Sequence, residues 1–134
     1  MFKVYLSGPI HGCSEEEQHE WRESVKRGLR NENFEFLDPT IRTYDWNDPA
    51  SVKKVVEDDK RDIDQCDILL VNWTKPGAGT PMEMLYAWER EKLVVTIVPY
   101  GVHATAWVRY HSHIMLRTVR QGIDYLSNDL NPVQ

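Results

Sequence analysis

Two acidic side chains stand where a carboxylate could take part in catalysis. The first is Asp59, in segment 50–65, whose apolar spacing predicts a helix; its apolar positions are Val52, Val55, Val56, Ile63 and Cys66. At about 100° per residue, Asp59 falls near the centre of that apolar stripe. An acid that faces a core needs a partner or a raised pKa. Asp59 is therefore either bonded to a neighbouring loop at the core rim, or held in a cleft as a usable acid.

The second acid is Glu83, in the stretch PGAGTPME of residues 76–83. Thr80, Pro81 and Glu83 have the pattern of a capping box, in which the glutamate bonds the amide of the N-cap residue. The preceding Gly-x-Gly turn permits close approach of the backbone to a ligand such as phosphate. However, GAG is neither a Walker sequence nor a complete GxGxxG. Position alone therefore favours a cap over a catalytic role for Glu83.

Other polar and aromatic side chains give weaker signals. Three acids lie off the apolar stripe of segment 50–65 and are predicted to form a solvated face: Asp58, Asp62 and Asp64. Three histidines lack the spacing of a metal site, and we predict a surface or interface role for them: His103, His111 and His113. Two tryptophans are predicted to be core residues, Trp21 and Trp88. Two others are predicted to lie in or beside the ligand cleft and to offer a stacking surface for a planar ring: Trp46 and Trp73.

The elements that must position these residues alternate between strands and helices. Strands are predicted at 2–6, 34–37, 67–73, 93–99 and 114–119, and helices at 14–30, 50–65, 81–92, 104–108 and up to about 126. Ser14 with the acidic run 15–17 predicts the start of the first helix. Such alternation implies right-handed βαβ crossovers. We therefore predict a single α/β domain, residues 1–134, with three layers and a five-stranded, mostly parallel, flavodoxin-like (Rossmann-like) sheet between helices.

The same topology predicts where a ligand binds. In open parallel sheets the binding crevice lies beyond the carboxyl ends of the strands, where the strand order reverses. Segments 7–12 and 72–80 and the loop after residue 99 are expected to meet there.

Composition and charge limit the classes of partner that the protein could bind. The net charge is −5, with scattered basic residues, which argues against a nucleic acid as the main partner. No apolar run approaches the about 20 residues that span a bilayer, and the N-terminus lacks the features of a signal peptide. Cys13 and Cys66 form no CxxC pair, so we expect reduced thiols. A cytoplasmic protein that binds a small molecule, and no membrane, is the prediction.

Together, several segments resemble a known family. The stretch VYLSGPI, the helix with EWRE, Asp59, and the long run CDILLVNWTKPGAGTPMEMLYA are similar to the nucleoside 2-deoxyribosyltransferase family and to its relatives that hydrolyse nucleoside 5′-monophosphates. The family motif places a glutamate at a helix start and then a YA pair, here residues 79–83 with Tyr86 and Ala87. The similarity extends from residue 4 to about residue 98.

This resemblance implies roles for individual residues. Glu83 takes the place of the family's nucleophile and Asp59 that of its catalytic aspartate. Tyr5 matches a substrate contact in the first strand, and Gly8 lets the following loop approach the ligand. The whole set of expected substrate-binding residues comprises Tyr5, Gly8, Ile10, His11, Trp46, Trp73, Gly77, Gly79 and Met82.

Two departures leave the substrate open. Gly77 stands where many transferases have an Asp that contacts the base and where the hydrolases use a Ser. His11 stands where the hydrolases use an Arg for phosphate, although the short loop between Trp73 and Gly79 is closer to the hydrolases.

The resemblance also implies a mechanism and an assembly. Glu83 attacks C1′ of the sugar, Asp59 protonates or steers the leaving base, and the two carboxyl groups lie roughly 5–6 Å apart. The expected reaction transfers the sugar of a nucleoside to another free base, without a metal or cofactor; hydrolysis of a nucleoside 5′-monophosphate is the alternative. A non-catalytic nucleotide-binding module is a third possibility. The family implies a homo-oligomer, in which segment 106–115 of a neighbouring subunit completes the site.

Overall fold

Five parallel strands form the sheet in the computed structural model of the protein, which describes residues 1–30 and 32–130. The strands are β1 (Phe2–Ser7), β2 (Phe34–Leu37), β3 (Ile68–Asn72), β4 (Leu93–Ile97) and β5 (Ile114–Leu116). Their order is β2-β1-β3-β4-β5, and each neighbouring pair is parallel, so the prediction of a mostly parallel sheet is confirmed. The order reverses between β1 and β3, where a ligand crevice is expected.

Helices connect the strands. They are α1 (Glu15–Gly28), α2 (Ala50–Gln65), α3 (Gly79–Glu89), α4 (Ala106–Tyr110) and α5 (Val119–Tyr125). A short 3-10 helix spans Pro39–Ile41, and a π-helical turn follows α5 at Leu126–Leu130. Residue 31 and residues 131–134, which the predicted domain 1–134 includes, lie outside the described residues. Within the described ranges, none of the helices is both long and apolar enough to traverse a bilayer.

The core consists of two apolar layers because successive side chains of a strand point to opposite faces of the sheet. On one face Tyr5 packs in a cluster with Ile63 of α2 and Met84 of α3. On the other face Leu6 packs with Val25 of α1, and α5 contributes to the same cluster. The predicted three-layer arrangement with helices on both faces is confirmed.

The apolar stripe of α2 is only half buried. Ile63 is buried, but Val52 and Val56 are exposed, and Asp58 is buried instead. The prediction that Asp58 belongs to a solvated face is therefore wrong. The cause is the preceding loop, which folds back along the helix and covers its polar side; Tyr44 donates a hydrogen bond to Asp58 at 3.1 Å.

The start of α3 also differs from the predicted capping box. The helix begins at Gly79, its N-cap position is Ala78, and no side chain caps it. Thr80 is already inside the helix and buried. The predicted helix start at Thr80 and Pro81 is therefore wrong. Glu83 bonds strand β1 and not the Thr80 amide, as a nucleophile rather than a cap would.

Candidate active site

Glu83 forms the centre of the candidate site. It is the fifth residue of α3, and its side chain lies beside the carboxyl-terminal half of β1. Tyr5 donates a hydrogen bond from its hydroxyl to Oε2 of Glu83 at 2.7 Å, and Ser7 donates one from Oγ to Oε1 at 2.7 Å. Tyr5 and Ser7 are two residues apart on a strand, so both side chains point to the same face. Each carboxylate oxygen is therefore held by its own donor on β1.

The environment of Glu83 shifts its proton equilibrium. Burial raises the pKa of Glu83 to about 7, while the hydrogen bonds from Tyr5 and Ser7 lower it and the negative charge of Asp59 raises it. Burial and the neighbouring Glu83 carboxylate raise the pKa of Tyr5, so Tyr5 stays a neutral donor. The site therefore holds a carboxyl group that is near its titration point at neutral pH, and perturbed groups of this kind are typical of functional sites.

Asp59 approaches the same site from α2. Burial raises the pKa of Asp59, and a hydrogen bond from Arg42 and the Arg42 charge lower it. Hydrogen bonding by Tyr5 also acts on Asp59, and the Asp59 charge acts on Glu83. The two acids predicted from the sequence are thus brought together around the Tyr5 hydroxyl.

Arg42 is a site residue that sequence reasoning missed. Its Nη2 donates to Oδ1 of Asp59 at 2.8 Å, and its Nη1 donates to Oδ2 of Asp62. Asp62 is therefore not part of a solvated face, contrary to the prediction, whereas Asp64 is exposed as predicted. Arg42 lies in an irregular loop after β2, where no periodic pattern signals the direction of a side chain.

Arg22 is a second residue that the sequence did not reveal as important. It lies on α1, is fully buried, and donates from Nε to the carbonyl of Leu6 at 3.2 Å and from Nη2 to that of Gly8 at 3.4 Å. Asp38 provides a buried counter-charge at 3.7 Å. The Arg22 charge also lowers the pKa of Glu83. Arg22 therefore fixes the end of β1, from which Ser7 reaches the glutamate.

The loop after β1 packs closely at its first residue. A Cβ atom on Gly8 would lie 3.0 Å from the Trp21 ring and 3.2 Å from the carbonyl oxygen of Asn72, so only glycine fits there without movement. Gly8 thus lets the loop approach β3 and α1. Trp21 is buried, as predicted. Further along the loop, Ile10 and His11 are exposed.

The turn before α3 is open. A Cβ atom on Gly77 or Gly79 would have no atom of the described residues within 4 Å. Met82, one residue before the glutamate, is 71% exposed. These three predicted substrate-binding residues therefore lie at the surface beside Glu83, where a ligand has room.

The burial of the tryptophans differs from the prediction. Trp46 is 66% exposed and packs against Tyr44 at 5.7 Å between ring centres, next to the Arg42 loop. Trp73 is only 3% exposed and donates from Nε1 to the carbonyl of His103 at 2.9 Å. The predicted stacking role of Trp73 is therefore wrong, because the ring is part of the core below α4. Trp88, predicted as core, is half-buried and stacks on His113 at 4.3 Å.

The histidines show no metal-site arrangement. Across residues 1–30 and 32–130, no cluster of three or more His, Cys, Asp or Glu side chains could hold a metal ion. His111 and His113 pack against the Trp88 ring instead.

Comparisons with known proteins identify the family of this chain. The family profile described as nucleoside 2-deoxyribosyltransferase matches residues 4–108 of the chain. No curated protein shows significant sequence similarity.

Solved structures share the fold at low identity. The 2-deoxyribosyltransferase of Bacillus psychrosaccharolyticus has a TM-score of 0.75 at 18% identity, covering 92% of this chain and 91% of that chain. The corresponding enzyme of Leishmania mexicana has a TM-score of 0.69 at 17% identity, covering 95% and 97%. The CMP N-glycosidase of Clostridium botulinum has a TM-score of 0.64 at 15% identity, covering 92% and 97%. With the profile match over residues 4–108, the chain belongs to the nucleoside 2-deoxyribosyltransferase family.

Proposed function

We propose that this protein cleaves the N-glycosidic bond of a nucleoside and transfers the sugar to a second base, with Glu83 as the nucleophile. The observation that supports this most is the arrangement of the Glu83 carboxylate. Its two oxygens accept hydrogen bonds of 2.7 Å from Tyr5 and Ser7, and the second acid, Asp59, acts on it electrostatically. A partly buried, oriented carboxylate next to another acid is the arrangement that retaining glycosyl transfer uses.

The first step forms a covalent intermediate. A Glu83 oxygen forms a bond to C1′ of the sugar while the bond from C1′ to the base nitrogen breaks, and its electron pair leaves with the base. Tyr5 and Ser7 hold the carboxylate during the attack, and Asp59 protonates or steers the departing base.

The second step reverses the first with a different base. A nitrogen of the acceptor base forms a bond to C1′, and the ester bond to Glu83 breaks, which restores the carboxylate. The acceptor loses one proton, to Asp59 or to water. The expected separation of roughly 5–6 Å between the two carboxyl groups belongs to this proposal.

Hydrolysis of a nucleoside 5′-monophosphate is the second candidate. In this reaction water takes the place of the acceptor base. The open space around Gly77 and Gly79 at the N-terminus of α3 favours it, because helix N-termini suit anionic groups. Binding without turnover, as in a nucleotide-binding module, is the least supported outcome, since both acids are in place.

We also propose that the protein assembles into a homo-oligomer in which segment 106–115 contacts a neighbour. Trp107 and Tyr110 of this segment are 67% and 69% exposed, and with Ala106 and His111 they line an apolar depression of about 340 Å³. Exposed aromatic patches of this kind are typical of protein interfaces. A location in the cytoplasm and the independence from cofactors and nucleic acid remain predictions of the sequence.

A chromatographic screen tests the function. Nucleosides and their 5′-monophosphates are incubated with the protein, with and without a free acceptor base. Exchange of bases supports transfer, and release of base without an acceptor, with preference for the 5′-phosphate, supports hydrolysis. Bound nucleoside with no turnover of any substrate would favour the binding module. Glu83→Ala must abolish the activity; its matched control is Glu89→Gln, an exposed acid on the same helix.

A further inference from the structure

Arg42 contacts two carboxylates of α2 from the loop that precedes this helix. Its Nη2 lies 2.8 Å from Oδ1 of Asp59, and its Nη1 binds Asp62. Its third nitrogen, Nε, donates to the hydroxyl of Tyr44 at 2.9 Å. Each of the three guanidinium nitrogens therefore has an acceptor, and the planar fork fixes the direction from which Asp59 is held.

The loop that carries Arg42 is itself tied to α2. Tyr44 donates onward to Asp58 at 3.1 Å, and Ser51 donates from Oγ to the carbonyl of Asp45 at 2.6 Å. Arg61 completes the pairing of Asp58 at 2.9 Å, on the outer side of the helix. The guanidinium is thus held at a set position relative to α2.

The charges around Asp59 come from several elements. Arg42 of the loop is positive, Asp62 of α2 and Glu83 of α3 are acidic, and Tyr5 of β1 is a neutral donor. Without Arg42, three acids would face one another across a partly buried site. Like charges at short range suppress ionisation, so Asp59 would take up a proton more readily.

We infer that Arg42 is a positioning residue that holds Asp59 as an ionised carboxylate of fixed orientation, so that Asp59 steers the departing base as a hydrogen-bond acceptor. This inference rests on the proposed function and decides between its two roles for Asp59. An ionised carboxylate only accepts hydrogen bonds, so the substrate group that meets Asp59 must be a donor, such as an N–H or a hydroxyl. The proton that the departing base requires then comes from water.

The arginine is also poorly suited to bind an anionic substrate. Three of its five N–H donors are bonded to Asp59, Asp62 and Tyr44, and the two carboxylates balance its charge. We therefore expect Arg42→Gln to affect a nucleoside and its 5′-monophosphate equally.

The pH dependence of kcat/KM tests the role of Arg42. With Arg42→Gln we expect a loss of about 10- to 100-fold at neutral pH, because an active-site group is misplaced. We also expect the acidic limb to move to higher pH, because Asp59 then loses its proton in the same pH range as Glu83. Arg42→Lys keeps the positive charge and loses the planar guanidinium. It should therefore bring the position of the acidic limb close to that of the wild-type protein, while kcat/KM at neutral pH stays reduced. Arg120→Gln, which removes an exposed Arg–Asp pair from α5, outside the network around Arg42, is the matched control and should leave the profile unchanged.

A double-mutant cycle separates positioning from a general structural role. If Arg42 acts through Asp59, Arg42→Gln added to Asp59→Asn causes little further loss, so the two effects are non-additive. Fully additive losses would overturn the inference. Thermal unfolding of each variant checks that it is folded, and Arg42→Lys stands in for Arg42→Gln if the latter does not fold.

A measurement without turnover keeps this inference distinct from the proposed function. The carboxyl carbon of Asp59 is titrated by NMR in the wild-type protein and in Arg42→Gln, with Asp59→Asn to assign the signal. A titration at higher pH in Arg42→Gln supports the inference, and an unchanged titration overturns it. Failure of the wild-type protein to process any nucleoside counts against the proposed function alone.

Discussion

The pattern of a hydroxyl residue followed three positions later by a glutamate occurs near the start of two helices, and the two copies behave differently. Before α1, Ser14 and Glu17 form a complete capping box: Ser14 accepts from the Glu17 amide at 3.1 Å, and Glu17 accepts from the Ser14 amide at 2.9 Å. At α3, Thr80 and Glu83 have the same spacing but make no such exchange. The difference lies in the surroundings, because Glu17 faces solvent, whereas Glu83 faces two buried donors on β1.

The two glutamates also differ in acidity. Hydrogen bonding from the Ser14 amide and the pairing with Lys75 lower the pKa of Glu17, while burial raises that of Glu83 to about 7. A local pattern therefore identifies a helix start, but the burial of its carboxylate decides whether the acid is a cap or a candidate nucleophile.

The largest expected difference between the two glutamates is in activity. Glu83→Gln should reduce glycosyl transfer or base release by about 10³-fold or more, because an amide cannot form the covalent ester. Glu17→Gln should retain activity close to that of the wild-type protein. Rates are measured by chromatography of the released base. Equal losses in both variants would contradict the distinction.

The contributions of Glu83 and Glu17 to stability should depend on pH with opposite signs. The pKa of Glu83 is raised from 4.5 to about 7 in the folded protein, so its favourable contribution is present below about pH 4.5 and is lost as the pH rises through 7. The span corresponds to at most about 3 kcal/mol. Glu83→Gln should therefore flatten the pH dependence of the free energy of unfolding in this range, as measured by urea denaturation.

The contribution of Glu17 has the reverse sign. Its pKa is lowered by folding, so its stabilisation is present above its unfolded pKa and is lost as the solution becomes more acidic. Glu17→Gln should lower the free energy of unfolding at pH values above about 4.5 and leave it unchanged in strong acid. A change confined to the acidic extreme would contradict this assignment.

The donors to Glu83 should matter next. Tyr5→Phe removes the hydrogen bond to Oε2 and should lower kcat/KM by about 10- to 100-fold, as expected for a bond to a charged group. It should also move the acidic limb of the pH profile upward, because this hydrogen bond lowers the pKa of Glu83. Ser7→Ala is the companion variant on Oε1. An unshifted limb in both variants would show that Glu83 is not the titrating group.

The smallest expected effect is the loss of the true cap. Ser14→Ala should lower the free energy of unfolding by about 1 kcal/mol and leave kcat/KM unchanged. Thermal unfolding and the exchange assay measure the two quantities on one sample. A large loss of activity would mean that the start of α1 takes part in the site.

Much of the fold could be predicted because its signals are local. Apolar runs such as residues 67–73 and the amphipathic spacing of α1 produced strands and helices whose order implies a parallel sheet. Asp59 is also distinguished by a local signal, because helical phase sets it apart from its acidic neighbours. The partner residues were not predictable in this way. Arg42 and Ser7 reach the acids from an irregular loop and from a strand far away in the sequence, and nothing in their local spacing indicates it.

The sequence by itself determined the α/β architecture and the membership of the family, and it singled out the two acids that we propose as catalytic. These follow from periodicity and from a motif that is contiguous along the chain. Only the tertiary structure decided that Glu83 bonds Tyr5 and Ser7 instead of capping α3, that Trp73 is a core residue, and that Arg42 holds Asp59. The physical reason is that burial and charge pairing depend on contacts between distant segments, and these contacts exist only once the sheet has brought the segments together.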